Sequence, residues 1–258
     1  MVKVKKLSKA TKATIYYVVF ILAWAALSLA ASQLIIAYPM FWLLGERFTQ
    51  PFWTLIYYLL SYCLAMALIF CLPPKLLTLY RNRKASKVKT AINVTDLQVT
   101  TSELGVQHLP TFVDIGLAPI GYIVYTLVAS LIINFMTIFP WFQANQSQET
   151  GFGYFITTGD RIFAMMALVF VAPIAEEIIM RGWVYGKLRN KLRVPLAAIL
   201  VSALFGLLHG QWNVGVGVFI LSLVLCSLRE ITGTIWSGIL LHIISNGIAF
   251  YLLYIAGF

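Results

Sequence analysis

Long apolar runs broken by short polar ones fill this chain from Ile15 to its last residues. A helix that crosses a bilayer needs about 20 apolar residues. The pattern predicts seven such helices: Ile15–Tyr38, Phe52–Leu72, Leu117–Phe139, Ile162–Tyr185, Pro195–His209, Val214–Leu228 and Ile235–Ile255. The fifth and sixth are short. Gly210, Gln211, Trp212 and Asn213 separate them, which predicts a hairpin or a broken helix. Tyr38, Trp42, Trp53, Trp141 and Trp212 sit at run ends, as interfacial aromatics do. There is no internal repeat and no low-complexity tract. The expected fold is an all-α, polytopic transmembrane helical bundle of about seven to eight spans. It forms one integral membrane domain over residues 1–258, with the chemistry in about 162–246.

Composition supports this reading. Of 258 residues, 60% are hydrophobic and 11% are charged. A soluble domain carries roughly 25% charged residues. The net charge of +10 lies in clusters that flank apolar runs: Lys3 to Lys12, Lys75 to Lys89, and Lys187 to Arg193. No groove-reading motif accompanies it, so a nucleic-acid partner is excluded. The expected partners are membrane lipids and a peptide or lipidated-protein substrate. The positive-inside rule puts all three clusters, with Arg229, in the cytoplasm. The N-terminus is then cytoplasmic, and loops Leu44–Pro51 and Pro140–Asp160 are external. The run after Lys12 is too long and aromatic for a cleaved signal, so it reads as the first span. No organelle signal is recognised, which favours a multi-pass protein of a bacterial or archaeal plasma membrane. Arg81–Thr111 is the one sizeable polar stretch, expected to lie on the cytoplasmic headgroups, with His108 solvated. Cys63, Cys71 and Cys226 lie in apolar runs without a CxxC and read as core residues.

Nine acidic residues are present. Glu46, Asp96, Glu103, Asp114, Glu149, Asp160 and Glu230 fall in loops or at run ends. Glu176 and Glu177 alone fall deep inside a span. A charge there costs roughly 2.5–3.5 kcal/mol on insertion scales, so these residues are either paired structure or function. Glu177 and Arg181 are i and i+4 and can pair along one helix face. Glu176 points about 100° away and has no local cation. The rise of a helix puts Glu176 roughly 15 Å from the cytoplasmic cluster, His242 roughly 18 Å from Glu230, and His209 roughly 21 Å from Pro195. Carboxylates and two histidines from three helices therefore converge near mid-membrane. His242 and Asn246 share a face at i and i+4. Gly206, Gly210, Gly238 and Gly247 leave room nearby for close helices or for a peptide backbone. Buried Glu and His also suit an ion path.

Three motifs stand in successive spans. They are A-E-E-I-I-M-R-G (Ala175–Gly182), F-G-L-L-H (Phe205–His209), and T-G-T-I-W-S-G-I-L-L-H-I-I-S-N (Thr232–Asn246). They resemble the EExxxR, FxxxH and HxxxN motifs of the CAAX-protease and bacteriocin-processing family, also called the Abi family. The resemblance covers roughly Ile162–Asn246, with no departure at a motif position. It implies an intramembrane endopeptidase with an eight-helix core. Glu176 and His209 would activate the attacking water. His242 and Asn246 would stabilise the oxyanion or help hold a metal. Glu177 and Arg181 would shape the site.

The chemistry agrees with that resemblance. Hydrolysis needs a general base, and it needs donors aimed where charge develops on the carbonyl oxygen. Metal use stays open: two histidines and a glutamate could hold zinc, but no HExxH is present. Asn246 is a poor zinc ligand and a good oxyanion donor, which favours a metal-free mechanism. The expected activity is endoproteolysis of a membrane-associated peptide, and in a bacterial or archaeal membrane a secreted-peptide precursor is favoured over a prenylated protein. A non-catalytic scaffold or chaperone, and a small transporter, are the alternatives. Intact motifs count against the former, and the missing repeat against the latter.

Overall fold

A computed structural model of the chain describes residues 8–83, 94–144, 146 and 157–256. The described residues form a helical bundle: α1 (Lys9–Leu44), α2 (Pro51–Arg83), two single turns α3 (Val94–Leu97) and α4 (Thr101–Leu104), α5 (Phe112–Met136), α6 (Thr158–Arg189), α7 (Val194–Leu208), α8 (Trp212–Thr232) and α9 (Trp236–Tyr251). Six are long and apolar enough to cross a membrane, and α7 is a shorter apolar helix. The seven apolar runs of the sequence thus each become a helix. Among the described residues the segment before α5 supplies only the single turns α3 and α4, so no eighth long apolar helix accompanies the seven.

Helix α2 continues past Leu72 through Pro73 and Pro74, although an interior proline removes a helix hydrogen bond. Helix α1 is also longer than its apolar run, with Ser8 accepting from the Thr11 amide as its N-cap. Thr111–Asp114 and Thr157–Asp160 form capping boxes that start α5 and α6.

Two packing groups frame the bundle. Tyr17, Ile21, Ile69, Ile179, Trp183 and Val201 knit α1, α2, α6 and α7 together. Ala118, Leu221, Leu225 and Leu241 join α5, α8 and α9. Between α7 and α8 the chain makes a hairpin, turning at Gly210, whose φ is 70°. Gly206 and Gly215 let the two helices touch: a Cβ on Gly206 would stand 2.7 Å from the Gly215 carbonyl oxygen.

The described part of the polar stretch does not run loosely over the surface. Leu97 is buried, and α4 lies on a glycine step of α6, where a Cβ on Gly186 would meet the Glu103 carbonyl oxygen at 2.8 Å. The buried Lys187 donates to Glu103 at 2.8 Å and to the Gln98 carbonyl. Arg229 donates to the Glu103 carbonyl at 2.6 Å and to that of Gly233 at 3.0 Å. Arg189–Glu230 and Lys191–Asp96 ion pairs lie at the same end. The basic cluster from Lys187 and Arg229 are therefore at one end of the bundle, as the charge pattern requires. The lysines from Lys3 to Lys6 and the segment 84–93 lie outside the described residues, as does Glu149.

Candidate active site

Helix α6 is not uniform. Met166–Val171 and Ile178–Tyr185 wind as wider π turns, and Ala172–Glu177 between them is α-helical. Such turns often mark functional sites. Here the first has a traceable consequence. The Ala172 amide donates to the Ala167 carbonyl, five residues back. The next bond in that register would run from residue 173 to Leu168. Residue 173 is proline and has no N–H. The Leu168 carbonyl takes its donor from another helix instead: Nδ2 of Asn246 on α9 donates to it at 2.9 Å. An amide has two N–H donors, so the second remains for another acceptor.

Glu177 is fully buried, with Arg181 and His242 around it. Nη1 of Arg181 donates to Oε1 of Glu177 at 2.8 Å, the i, i+4 pair that the spacing predicts. Nδ1 of His242 lies 3.0 Å from the same oxygen. A carboxylate accepts, so Nδ1 carries the proton. Gly238, one turn before His242, makes room for this carboxylate: a Cβ there would stand 3.1 Å from Oε2 of Glu177.

Glu176 stands apart from that pair. Its side chain is 19% accessible, against 0% for Glu177. Its Oε2 lies 3.8 Å from Nε2 of His242. That distance is longer than a direct hydrogen bond. Its Oε1 accepts from the Tyr62 hydroxyl of α2 at 2.6 Å. Glu176 therefore lacks a local cation but has two partners from other helices.

Phe205 organises the remainder. The Arg181 guanidinium lies 4.6 Å from its ring centroid. The imidazoles of His209 and His242 meet the same ring edge-on, at 5.0 and 6.0 Å between centroids. Nδ1 of His209 is 2.8 Å from the Phe205 carbonyl of its own helix. Among the described residues, no hydrogen bond joins His209 to Glu176. Glu176, Glu177, Arg181 and His242 are thus brought into one connected group. Asn246 reaches the group's helix at Leu168, and His209 borders it through Phe205. Among the described residues no three His, Cys, Asp or Glu side chains form a group able to hold a metal.

Two members were not singled out from sequence. Tyr62 lies in an aromatic-rich span, where tyrosine reads as a packing or interfacial residue. Phe205 belongs to a quoted motif, but an apolar residue in an apolar helix carries no chemical signal of its own.

Residues 158–248 match the family described as "Rce1-like: Type II CAAX prenyl endopeptidase Rce1-like". The match covers α6 to α9, the part that holds every motif, and agrees with the resemblance to the CAAX-protease family. No curated protein and no solved structure matches the chain. The segment is similar to a protease family, and the helices around it are those of a membrane protein.

Proposed function

We propose that this protein is an intramembrane endopeptidase that hydrolyses a peptide bond in a membrane-associated substrate, with Glu176 as the general base. One observation carries the reading. The accessible carboxylate of Glu176 stands beside a buried network in which Glu177, Arg181 and His242 pair with one another. A group that only holds helices together has no reason to remain accessible at mid-span.

The roles divide as follows. A water beside Oε2 of Glu176 gives its proton to that oxygen, and its hydroxyl attacks the scissile carbonyl carbon. The carbonyl π electrons move to oxygen. The second N–H of Asn246 is the donor we assign to that oxyanion. His242 is held by Glu177 with Nε2 turned toward Glu176, so it orients the water. His209, at the hairpin tip, borders the same space. When the carbon–nitrogen bond breaks, the proton on Glu176 passes to the leaving amine. Glu177 and Arg181 position His242 and touch no reacting atom.

The similarity of residues 158–248 to a prenyl endopeptidase family favours a prenylated C-terminal peptide as substrate. A secreted-peptide precursor is the other class that the same chemistry accepts. We assign the end that carries Lys187 and Arg229 to the cytoplasm of a plasma membrane, from the charge asymmetry of the loops.

The test is cleavage by purified protein in detergent or liposomes, with a prenylated CAAX peptide, its unprenylated form and a leader-containing precursor as substrates. Cleavage by wild type and none by a folded Glu176→Gln supports the reading. A folded wild type that binds these peptides and cleaves none overturns it in favour of a scaffold.

A further inference from the structure

The matched segment begins at residue 158, yet one contact to the candidate base comes from far outside it. Tyr62 is on α2, 114 residues before Glu176, and its hydroxyl donates to Oε1 of Glu176 at 2.6 Å. An O–H to carboxylate bond of about 2.5–2.7 Å is of the strong, charge-assisted kind.

We propose that Tyr62 is a positioning residue of this site, which pins Oε1 of Glu176 and leaves Oε2 as the one basic atom facing His242. This rests on the peptidase reading above. The geometry that supports it is a chain of contacts across three helices. Tyr62 on α2 holds Glu176, Oε2 of Glu176 faces Nε2 of His242 at 3.8 Å, and Nδ1 of His242 is fixed by Glu177 at 3.0 Å. A glutamate has three side-chain torsions, and its terminal torsion is broad. Without a partner, Glu176 could turn either oxygen, or neither, toward the water. His242 does not fix it, because 3.8 Å is too long for a hydrogen bond. Tyr62 is the single direct hydrogen-bond partner of the Glu176 side chain among the described residues. Tyr62 is itself held in place: it packs on the α1–α2–α6–α7 core, and its ring lies 6.1 Å from that of Tyr58 one turn earlier. The site therefore draws on a side chain of α2, in the first half of the chain, which acts through Glu176.

The test uses the full-length protein and Tyr62→Phe, which removes one hydroxyl and keeps the ring. With wild type active, kcat for Tyr62→Phe should fall about 10–100-fold, the scale of one hydrogen bond to a charged group, while KM stays within about twofold. In a Glu176→Asp background, which keeps a carboxylate but draws it back from Tyr62, the same substitution should change turnover by less than about twofold, because Tyr62 acts through the Glu176 carboxylate. Unchanged kcat overturns the proposal. A rise in KM alone, or an equal fall in both backgrounds, also overturns it, since these mark substrate binding or general packing. A second readout needs no activity. In infrared spectra of protein carrying carbon-13 glutamate, the Glu176 carboxylate band is identified by its loss in Glu176→Gln. That band should shift in Tyr62→Phe. If it does not, Tyr62 does not hold Glu176, whatever the protein cleaves. If the band shifts but wild type cleaves no peptide, the contact stands, and the proposal that it serves hydrolysis falls with the peptidase reading.

Discussion

Nδ1 of His242 and Oε1 of Glu177 stand 3.0 Å apart, in an interior where Glu177 has no accessible surface. This bond joins α9 to α6 and fixes which imidazole nitrogen faces Glu176. Neighbouring glutamates thereby acquire different duties. Glu177→Gln keeps the shape but loses a charge that serves Arg181 and His242 together. Breaking such a buried network costs roughly 3–5 kcal/mol when one partner is removed, and an isostere retains part of it. Glu177→Gln should therefore lower both melting temperature and cleavage. Glu176→Gln should abolish cleavage and leave melting within about 1 °C. Calorimetry or a thermal-shift assay beside a peptide-cleavage assay checks both, and near wild-type turnover by Glu176→Gln sinks the assignment.

Asn246 has two tasks that substitution can separate. Removal of one oxyanion donor lowers rates about 10²–10³-fold. Asn246→Ala should show that loss in kcat, with peptide binding retained. It should also melt earlier, because it leaves the Leu168 carbonyl without its partner. Pro173→Ala restores an N–H five residues beyond Leu168. In the Asn246→Ala background it should recover part of the melting temperature and none of the rate. Recovery of rate would make Asn246 a structural tie only.

Metal dependence has a direct measurement. Glutamate-activated water predicts cleavage that a zinc chelator leaves within about twofold. Loss of activity on chelation, restored by added zinc, would move His209 and His242 into a metal shell.

The α7–α8 hairpin sets the depth of His209, and its close approach depends on Gly206 and Gly215. Gly206→Ala would bring a Cβ to 2.7 Å from a backbone oxygen that has no rotamer by which to yield. Overpacking of this kind costs about 1–3 kcal/mol. The variant should melt lower and cleave more slowly. A Gly206→Ala protein with wild-type melting would show that the helices can part freely.

At the opposite end, Lys187→Met should release α4. The methionine keeps the apolar stem and removes the bonds to Glu103 and the Gln98 carbonyl. Faster protease nicking between residues 98 and 106, with the spans intact, is the expected result. Unchanged nicking would mean that the other contacts of the segment suffice, among them Arg229 to the Glu103 carbonyl and the Ile235 amide to that of Gly105.

Much of this protein was readable from its sequence. Apolar periodicity set by bilayer thickness marked all seven helices, and lysine and arginine placement put the Lys187 cluster and Arg229 at one end of the bundle. The cost of an intramembrane charge singled out Glu176 and Glu177, and the i, i+4 rule correctly paired Glu177 with Arg181. These are local or one-dimensional rules, in which a residue's own chemistry and its near neighbours decide. The partners of Glu176 were not readable in that way. That Tyr62 holds Glu176, that His242 leans on Glu177, and that Asn246 fills the place of a missing proline N–H depend on how α2, α6 and α9 cross. The same applies to the polar stretch before α5. Its alternation suggested a segment on the headgroups, and only packing shows that the glycine step of α6 and the buried Lys187 hold its described part against the bundle. Helices form from their own sequence, but the contacts between them are set by packing, by glycines that admit a neighbour, and by polar groups that must find a partner once water is gone.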